Sequence, residues 1–514
     1  MKRTIAALAL LACVVVAPRS TAAEWGPPDV RTTVVTLDAV VKANAAATGT
    51  AEASYAQRRE RWTYHNGERS LAVRVVVRGD DFRATVTLGE AEYAGGRSAG
   101  TRWRADANGV THATWSESQG DAIDRLPQSL FPFALSECTL AGESKRFGAP
   151  AWVLVDRPPR DKPHWFYVDE TSGLITHEVT REGKRAVVTS FSDFKVVAGT
   201  RRPYRWHISD GDSGNDLDVS VDDVERETLS ERDVAIPQTQ RLFGLASPGP
   251  SGAVVLPTTF RGENIYINVA MGRQHIPFVL DTGTASITLE RSVAQRVSSG
   301  VVLEHATVPT MTAGPLSMSN VSTLAIPAFV QGILGYDFFL GHVLHIDYLH
   351  RRVEVLTPPA ADRVFSDPKN RVFDASFDEG IPLLRGAFGS ASGERFALDT
   401  GSQPLVLLAP FLRRNPQLDK SLTPTHFGLT SHAPATEEFD YLEGPIVVAA
   451  REAPSFQFGP ILFKDVFVAA EVPKNITDAI DIPIDGIVGT DLLSKFEWWF
   501  DYDGGRIAVR RNSR

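Results

Sequence analysis

The chain has 514 residues, a length that predicts two to four domains rather than one core. A net charge of −9 and a pI near 5.8 exclude the basic footprint of a nucleic-acid binder and favour solubility. Hydrophobic content of 43% is ordinary for a globular protein, and 40 Gly with 32 Pro point to a turn-rich, mainly β chain.

In chain order, Met1-Lys2-Arg3 is a basic start, Ile5 to Val16 a short apolar run and Ser20 to Ala23 a group of small residues. This pattern predicts a signal peptide over residues 1–23, and so an exported, periplasmic or secreted protein. The run is too short, and too sharply ended by Pro18 and Arg19, to span a membrane. Leu10-Leu11-Ala12-Cys13 loosely matches a bacterial lipobox, but Leu11 suits it poorly and Val14 to Val16 continue the apolar run. Membrane attachment is therefore expected only if Cys13 is lipidated. Cys13 and Cys138 are the two cysteines, so no internal disulfide forms once the leader is gone. Cys138 reads as a small buried hydrophobe rather than a nucleophile.

Residues 24–250 predict an antiparallel β domain. Asp38 to Ala47 suggests a helix, followed by strand-like runs at 71–78, 82–88, 101–104 and 110–115, with Asn108-Gly109 as a hairpin turn. A second meander follows at 165–168, 174–179, 185–194, 203–208 and 217–224. His177-Glu178 lacks the second histidine of a zinc-protease helix and sits in a strand pattern. Asp210 to Asp218 invites a calcium reading, but Gly214 occupies a ligand position of that spacing, so a solvated turn is favoured. Residues 248–257 read as a linker.

From about residue 254 the chain repeats itself. Phe278-Val279-Leu280-Asp281-Thr282-Gly283 is echoed by Phe396-Ala397-Leu398-Asp399-Thr400-Gly401, and Gly332 to Asp337 by Gly486 to Asp491. Asp347-Tyr348 and Asp501-Tyr502 follow, each Asp 15 positions after the first Gly of its copy, with Arg352 and Arg506 five further on. Motifs in the same order and register mark a duplicated unit. Two lobes are predicted, 254–357 and 375–511, with 357–374 as a linker. The middles differ: 51 positions separate Asp281 from Gly332, but 87 separate Asp399 from Gly486. Extra strands or a long loop around 423–481 would account for this.

Each Asp-Thr-Gly lies between apolar runs, so a carboxylate projects from a tight turn at the end of a buried strand. Gly283 and Gly401 let two such turns approach closely. Carboxylates about 3 Å apart cannot both ionise, and such a pair can hold one proton and activate a water without a metal, cofactor or covalent intermediate. One such motif alone is more often an Asx turn; the duplication favours a paired site.

These residues resemble the pepsin-like and retropepsin-like aspartic proteases over 254–511. The resemblance implies two β-barrel-like lobes around a pseudo-twofold axis, a monomer with an intrachain pseudo-dimer, and an aspartic-type endopeptidase acting on peptide or protein substrates. It implies Asp281 and Asp399 as the dyad and Thr282 and Thr400 as reciprocal loop locks. Thr284 and Ser402 would place hydroxyls on the carboxylates and shift activity toward acid pH. Ile333-Leu334-Gly335 and Ile487-Val488-Gly489 would be the strands passing under the loops. Pepsin-like disulfides are absent, and Thr312-Ala313-Gly314-Pro315 is a weak flap candidate.

The N-terminal domain more faintly resembles periplasmic lipoprotein-carrier half-barrels, through Phe166 to Asp169, Ser190 to Phe194 and Gly199 to Tyr204. That resemblance implies acyl chains bound in a curved sheet. Two alternatives therefore stand beside the endopeptidase: a catalytically inactive fold of that kind binding a peptide or partner, and a lipid- or lipoprotein-binding protein led by its N-terminal domain.

Overall fold

The computed structural model describes residues 30–512 except 67–68, 89–90, 115–134, 158–162, 183–184, 212–215, 240–242, 246–251, 300–304, 327, 329, 379, 425–435, 442–443 and 471–483. The leader, Cys13 and part of the Asp210–Asp218 turn thus lie outside the described residues. The chain is mainly β and divides into two compact units, 1–238 and 239–514. Strand Gly244–Leu245 pairs with Leu316–Ile326, so the second unit takes up the chain before residue 250.

The first unit is one antiparallel sheet of thirteen strands. Strand Gln57–Asn66 stands near its middle. A meander from Arg69–Arg78 to Thr111–Thr114 extends the sheet on one side. A second meander begins at Thr139–Ser144 and ends when Leu217–Arg226 pairs with Gln57–Asn66 from the other side. Alternation sends Trp62 and Tyr64 inward with Val73, Val75, Val86, Leu154, Phe166 and Phe191 into one apolar cluster. The outward Arg59, Arg61 and Thr63 meet Asp233, Asp223 and Asp222.

Helix Leu37–Thr48 begins on Thr36, whose hydroxyl accepts from Ala39 N, and lays Val40 into that cluster. It is tied to two hairpin turns. Asn44 Nδ2 donates to Gly173 O at 2.8 Å, and Glu52 N, just past the helix, donates to Ala198 O at 2.8 Å. Gly199 is in the left-handed region at φ 77, and a Cβ there would lie 2.5 Å from Thr50 O. His177 and Glu178 lie on a strand as expected, with Glu178 bonded to His164 at 2.7 Å. Cys138 is buried, and burial pushes its thiol up to about 12, which keeps it neutral.

The second unit holds three sheets. In the first, neighbouring strands run Leu316–Ile326, Thr288–Glu290, Gly332–Leu334, Gln274–Leu280, Asn264–Met271. In another, the order is Ile461–Ala470, Leu405–Leu407, Gly486–Val488, Ala391–Leu398, Ile381–Phe388. The two sequences of strands are the same, as the repeat requires. The remaining sheet joins the copies. Ala253–Val255, Arg352–Leu356 and Val343–Asp347 come from one copy, and Phe496–Asp501, Arg506–Arg511 and Arg371–Asp374 from the other.

Both stretches read as linkers therefore contain sheet edges. Within 357–374, Pro358 and Pro359 open helix Pro358–Ser366, where a missing N–H costs nothing. The added length of the second copy includes extra strands: Thr423–Pro424 and Thr436–Tyr441 both pair with Gly444–Phe458.

Candidate functional site

Strands Gln274–Leu280 and Ala391–Leu398 end at Asp281 and Asp399. Each runs parallel to the short strand beside it, Val279 opposite Ile333 and Ala397 opposite Ile487. Asp281 N donates to Leu334 O and Asp399 N to Val488 O, both at 3.0 Å. Gly335 and Gly489 leave room for the loops above them, because a Cβ would lie 2.4 Å from Thr284 O and 2.5 Å from Gln403 O respectively. Ile333-Leu334-Gly335 and Ile487-Val488-Gly489 thus hold the two loops from the side.

The loops lock each other. Thr282 Oγ1 donates to Leu398 O at 2.7 Å and accepts from Thr400 N at 3.0 Å. Thr400 Oγ1 donates to Leu280 O at 2.8 Å and accepts from Thr282 N at 3.1 Å. Each glycine admits the opposite carboxylate: a Cβ on Gly283 would stand 2.7 Å from Asp399 Cγ, and one on Gly401 2.5 Å from Asp281 Cγ. The two carboxyl groups stand close enough to influence each other's protonation.

The pair is not symmetric. Asp281 is buried and accepts from Gly283 N at 2.7 Å and Thr284 Oγ1 at 2.8 Å. Asp399 keeps part of its surface open and accepts backbone donors, Gly401 N at 2.8 Å and Ser402 N at 3.1 Å. The Ser402 hydroxyl, expected on the carboxylate, makes no hydrogen bond. Enclosure in protein raises both carboxyls. In Asp281 the Thr284 hydroxyl opposes the rise, while in Asp399 the Asp281 charge adds to it and lifts that group well above the usual range. The pair therefore holds one proton between its two carboxyls, with Asp399 the more strongly raised of the two.

In the sequence Tyr502 stands out only as a marker of the repeat. In the structure it belongs to an aromatic group, 4.8 Å from Phe339, 4.7 Å from Phe377 and 5.4 Å from Tyr336 by ring centroids. Burial raises its phenol first, and Tyr336, Asp281 and Asp399 raise it further, so it stays protonated beside the pair. Trp498 and Trp499 are both buried in strand Phe496–Asp501. The proposed flap, Thr312 to Pro315, is the end of a hairpin packed on Pro257, 2.8 Å from a Cβ built at Gly314.

The raised carboxyl predicts a stability gain on substitution. Asp399 has a folded pKa above its unfolded value, so its contribution is complete below about pH 4 and is lost as pH rises through the folded value. Asp399→Asn retains the acceptor oxygen and cannot ionise. It is expected to melt a few degrees above wild type at pH 8, about 2–4 °C for each kcal/mol relieved, with the difference vanishing near pH 4. Equal melting temperatures at pH 8 would remove the shared-proton arrangement.

Neither a family model nor a curated protein matches the chain. Solved structures similar to parts of it include an outer membrane lipoprotein-sorting protein domain from Vibrio parahaemolyticus, at 14% identity over 38% of this chain and 95% of that one, with a TM-score of 0.30. A LolA superfamily protein from Nitrosomonas europaea matches at 12% identity over 39% and 98%, with a TM-score of 0.31. Basic 7S globulin from soybean matches at 13% identity over 51% and 96%, with a TM-score of 0.32.

None of these is described as a protease, and this corrects three expectations. The chain is not assigned to the pepsin-like or retropepsin-like aspartic proteases; aspartic-type endopeptidase activity is not ascribed to it; and the hydrolase and peptidase descriptions fall with them. The physical reason is that an Asp-Thr-Gly pair is also a structural device. The threonine lock and the glycine clearances join two sheets whether or not a peptide is cut between them.

Proposed function

We propose that this is an exported lipid- or lipoprotein-binding protein led by its N-terminal unit, with residues 24–238 as the binding domain. One observation carries the reading. Thirteen strands at about 4.8 Å spacing make a face roughly 60 Å wide, and among the described residues one twelve-residue helix covers it, about 18 Å long. That face, from Val73 through Trp62 to Leu154, is already enclosed by the unit's own side chains, so on this reading an acyl chain enters by displacing part of that packing. The apolar run at residues 5–16 supports export, with lipid attachment at Cys13 as the alternative route to a membrane.

Trp62 and Trp206 lie edge to face in that cluster, 5.0 Å apart, and so report on its occupancy. The mature chain is expected to bind a dansylated C11 fatty acid saturably, with energy transfer from tryptophan, and to release it to a lysophospholipid. Transfer that rises linearly with probe up to its solubility limit would sink the reading.

A second reading follows from the carboxyl pair. Asp281 and Asp399 together offer one proton to donate and several oxygens to accept, flanked by the partly open Gly283 and Gly401. That suits the amide of an extended peptide, and on this reading the second unit holds a peptide or partner segment without cutting it. Thr282 and Thr400 lock the site, while Thr284 and the Ser402 amide orient its carboxylates.

A further inference from the structure

The sheet joining the two copies carries a second group of ionisable side chains, apart from the carboxyl pair. His345 lies opposite Glu354 on one neighbouring strand and opposite Trp499 on the other. Two residues on, Asp347 lies opposite Glu497. The two-residue period of a strand puts His345, Asp347, Glu354 and Glu497 on one face. A ligand atom from each of His345, Asp347 and Glu497 falls within 4.8 Å of the others.

The two ring nitrogens of His345 have different surroundings. Nδ1 is bonded to Glu354 Oε2 at 3.0 Å, and Glu354 is itself held by Arg352. Trp499 stacks on the ring at 4.5 Å and 6°, which fixes its plane. Nε2 is buried and makes no hydrogen bond; Glu497 Oε2 stands 3.6 Å from it. That separation is too long for a hydrogen bond. It is close to the roughly 3.3 Å between two atoms that each lie about 2.0 Å from one tetrahedral zinc ion.

We propose that His345 Nε2, Asp347 and Glu497 form a binding site for a divalent transition-metal ion of the zinc class, with Glu354 as the carboxylate that orients the histidine. Imidazole with two carboxylates suits zinc better than calcium or magnesium, which take oxygen ligands. Asp347 is already fixed, since its oxygens accept from His350 N at 3.0 Å and meet His350 Nδ1 at 2.6 Å. Two carboxylates neutralise the ion, while Glu354 balances Arg352. A carboxylate behind a ligating histidine is the usual means of setting its tautomer and raising its basicity. The competing arrangement is an imidazolium held between Glu354 and Glu497, and the two differ in whether the ring binds a metal.

The test uses the full mature chain, stripped with a chelator and titrated with Zn²⁺ against a chromogenic indicator. One equivalent is expected to bind at micromolar concentration or below. His345→Ala and Glu497→Gln should each weaken that equivalent at least a hundredfold, and Glu354→Gln about 10–100-fold. Glu497→Gln is isosteric at a side chain 19% exposed, so it serves if His345→Ala does not fold. Co²⁺ bound to the wild type should show intense visible bands of a tetrahedral nitrogen–oxygen site. The proposal is overturned if the wild type binds no equivalent, if either ligand variant binds like wild type, or if the Co²⁺ spectrum is absent or octahedral.

Discussion

Glu60→Gln is expected to cost the N-terminal unit about 3–5 kcal/mol, because it leaves two buried guanidinium groups without their anion. Glu60 Oε1 accepts from Arg58 Nε and Arg202 Nη1, both at 2.6 Å. Its Oε2 accepts from Arg202 Nη2 at 2.9 Å and Trp62 Nε1 at 2.7 Å. Burial alone would raise this carboxyl, but Arg202 and Arg58 overcome it and hold the group down at about 2. A depressed folded pKa gives stability that is present above the unfolded value near 4.5 and is lost as pH falls toward 2. The gap between wild type and variant in urea midpoint should therefore be wide at pH 7 and narrow below pH 4. Replacing all three charges together by apolar residues should recover much of the loss. A single Glu60→Gln variant with an unchanged midpoint at pH 7 would show that the cluster is not the closed charge triad described.

Thr400→Val is expected to cost the second unit about 2–5 kcal/mol. Valine has the shape of threonine but neither donates to Leu280 O nor accepts from Thr282 N, and each buried group left unmade costs about 1–3 kcal/mol. Thr282→Val should behave alike, since its two bonds are the mirror set. Thr400→Ser, which restores the hydroxyl, should recover most of the loss. Denaturant midpoints followed by tryptophan fluorescence measure this, and a valine variant within about 0.5 kcal/mol of wild type would show that the two loops do not hold the copies together.

The paired site was legible because a duplication writes the same chemistry twice. Two Asp-Thr-Gly runs and two apolar-Gly runs, in one order, marked the duplication, and the strand orders of the two copies agree. Strand Gln57–Asn66 was invisible for the opposite reason. Its inward positions include Arg58 and Glu60, so the alternation that marks a half-buried strand was broken by the charges that Arg202 completes from a distant strand. Ala91–Ser98 hides behind Gly95-Gly96, where a Cβ on Gly96 would stand 2.1 Å from Phe82 O. Packing there requires an absence of side chain, which no hydrophobic period records. The Ser402 hydroxyl was misplaced because the two loops share a sequence pattern but not a hydrogen-bond pattern. What the carboxyl pair does lay beyond the motif, since the residues that lock the loops are those that would serve catalysis.

The order in which the first sheet is assembled has a consequence for how the chain must be delivered. Arg58 pairs with Arg226, 168 positions later, and every strand between them hangs from that closure. The early meander can form hairpins as it emerges, but its innermost strand keeps a bare edge until nearly the whole unit has followed. Until then this edge would invite pairing with another chain. A protein of this build is thus one for which a holding chaperone, or fast completion of the first 230 residues, decides how much of it ever reaches its native form.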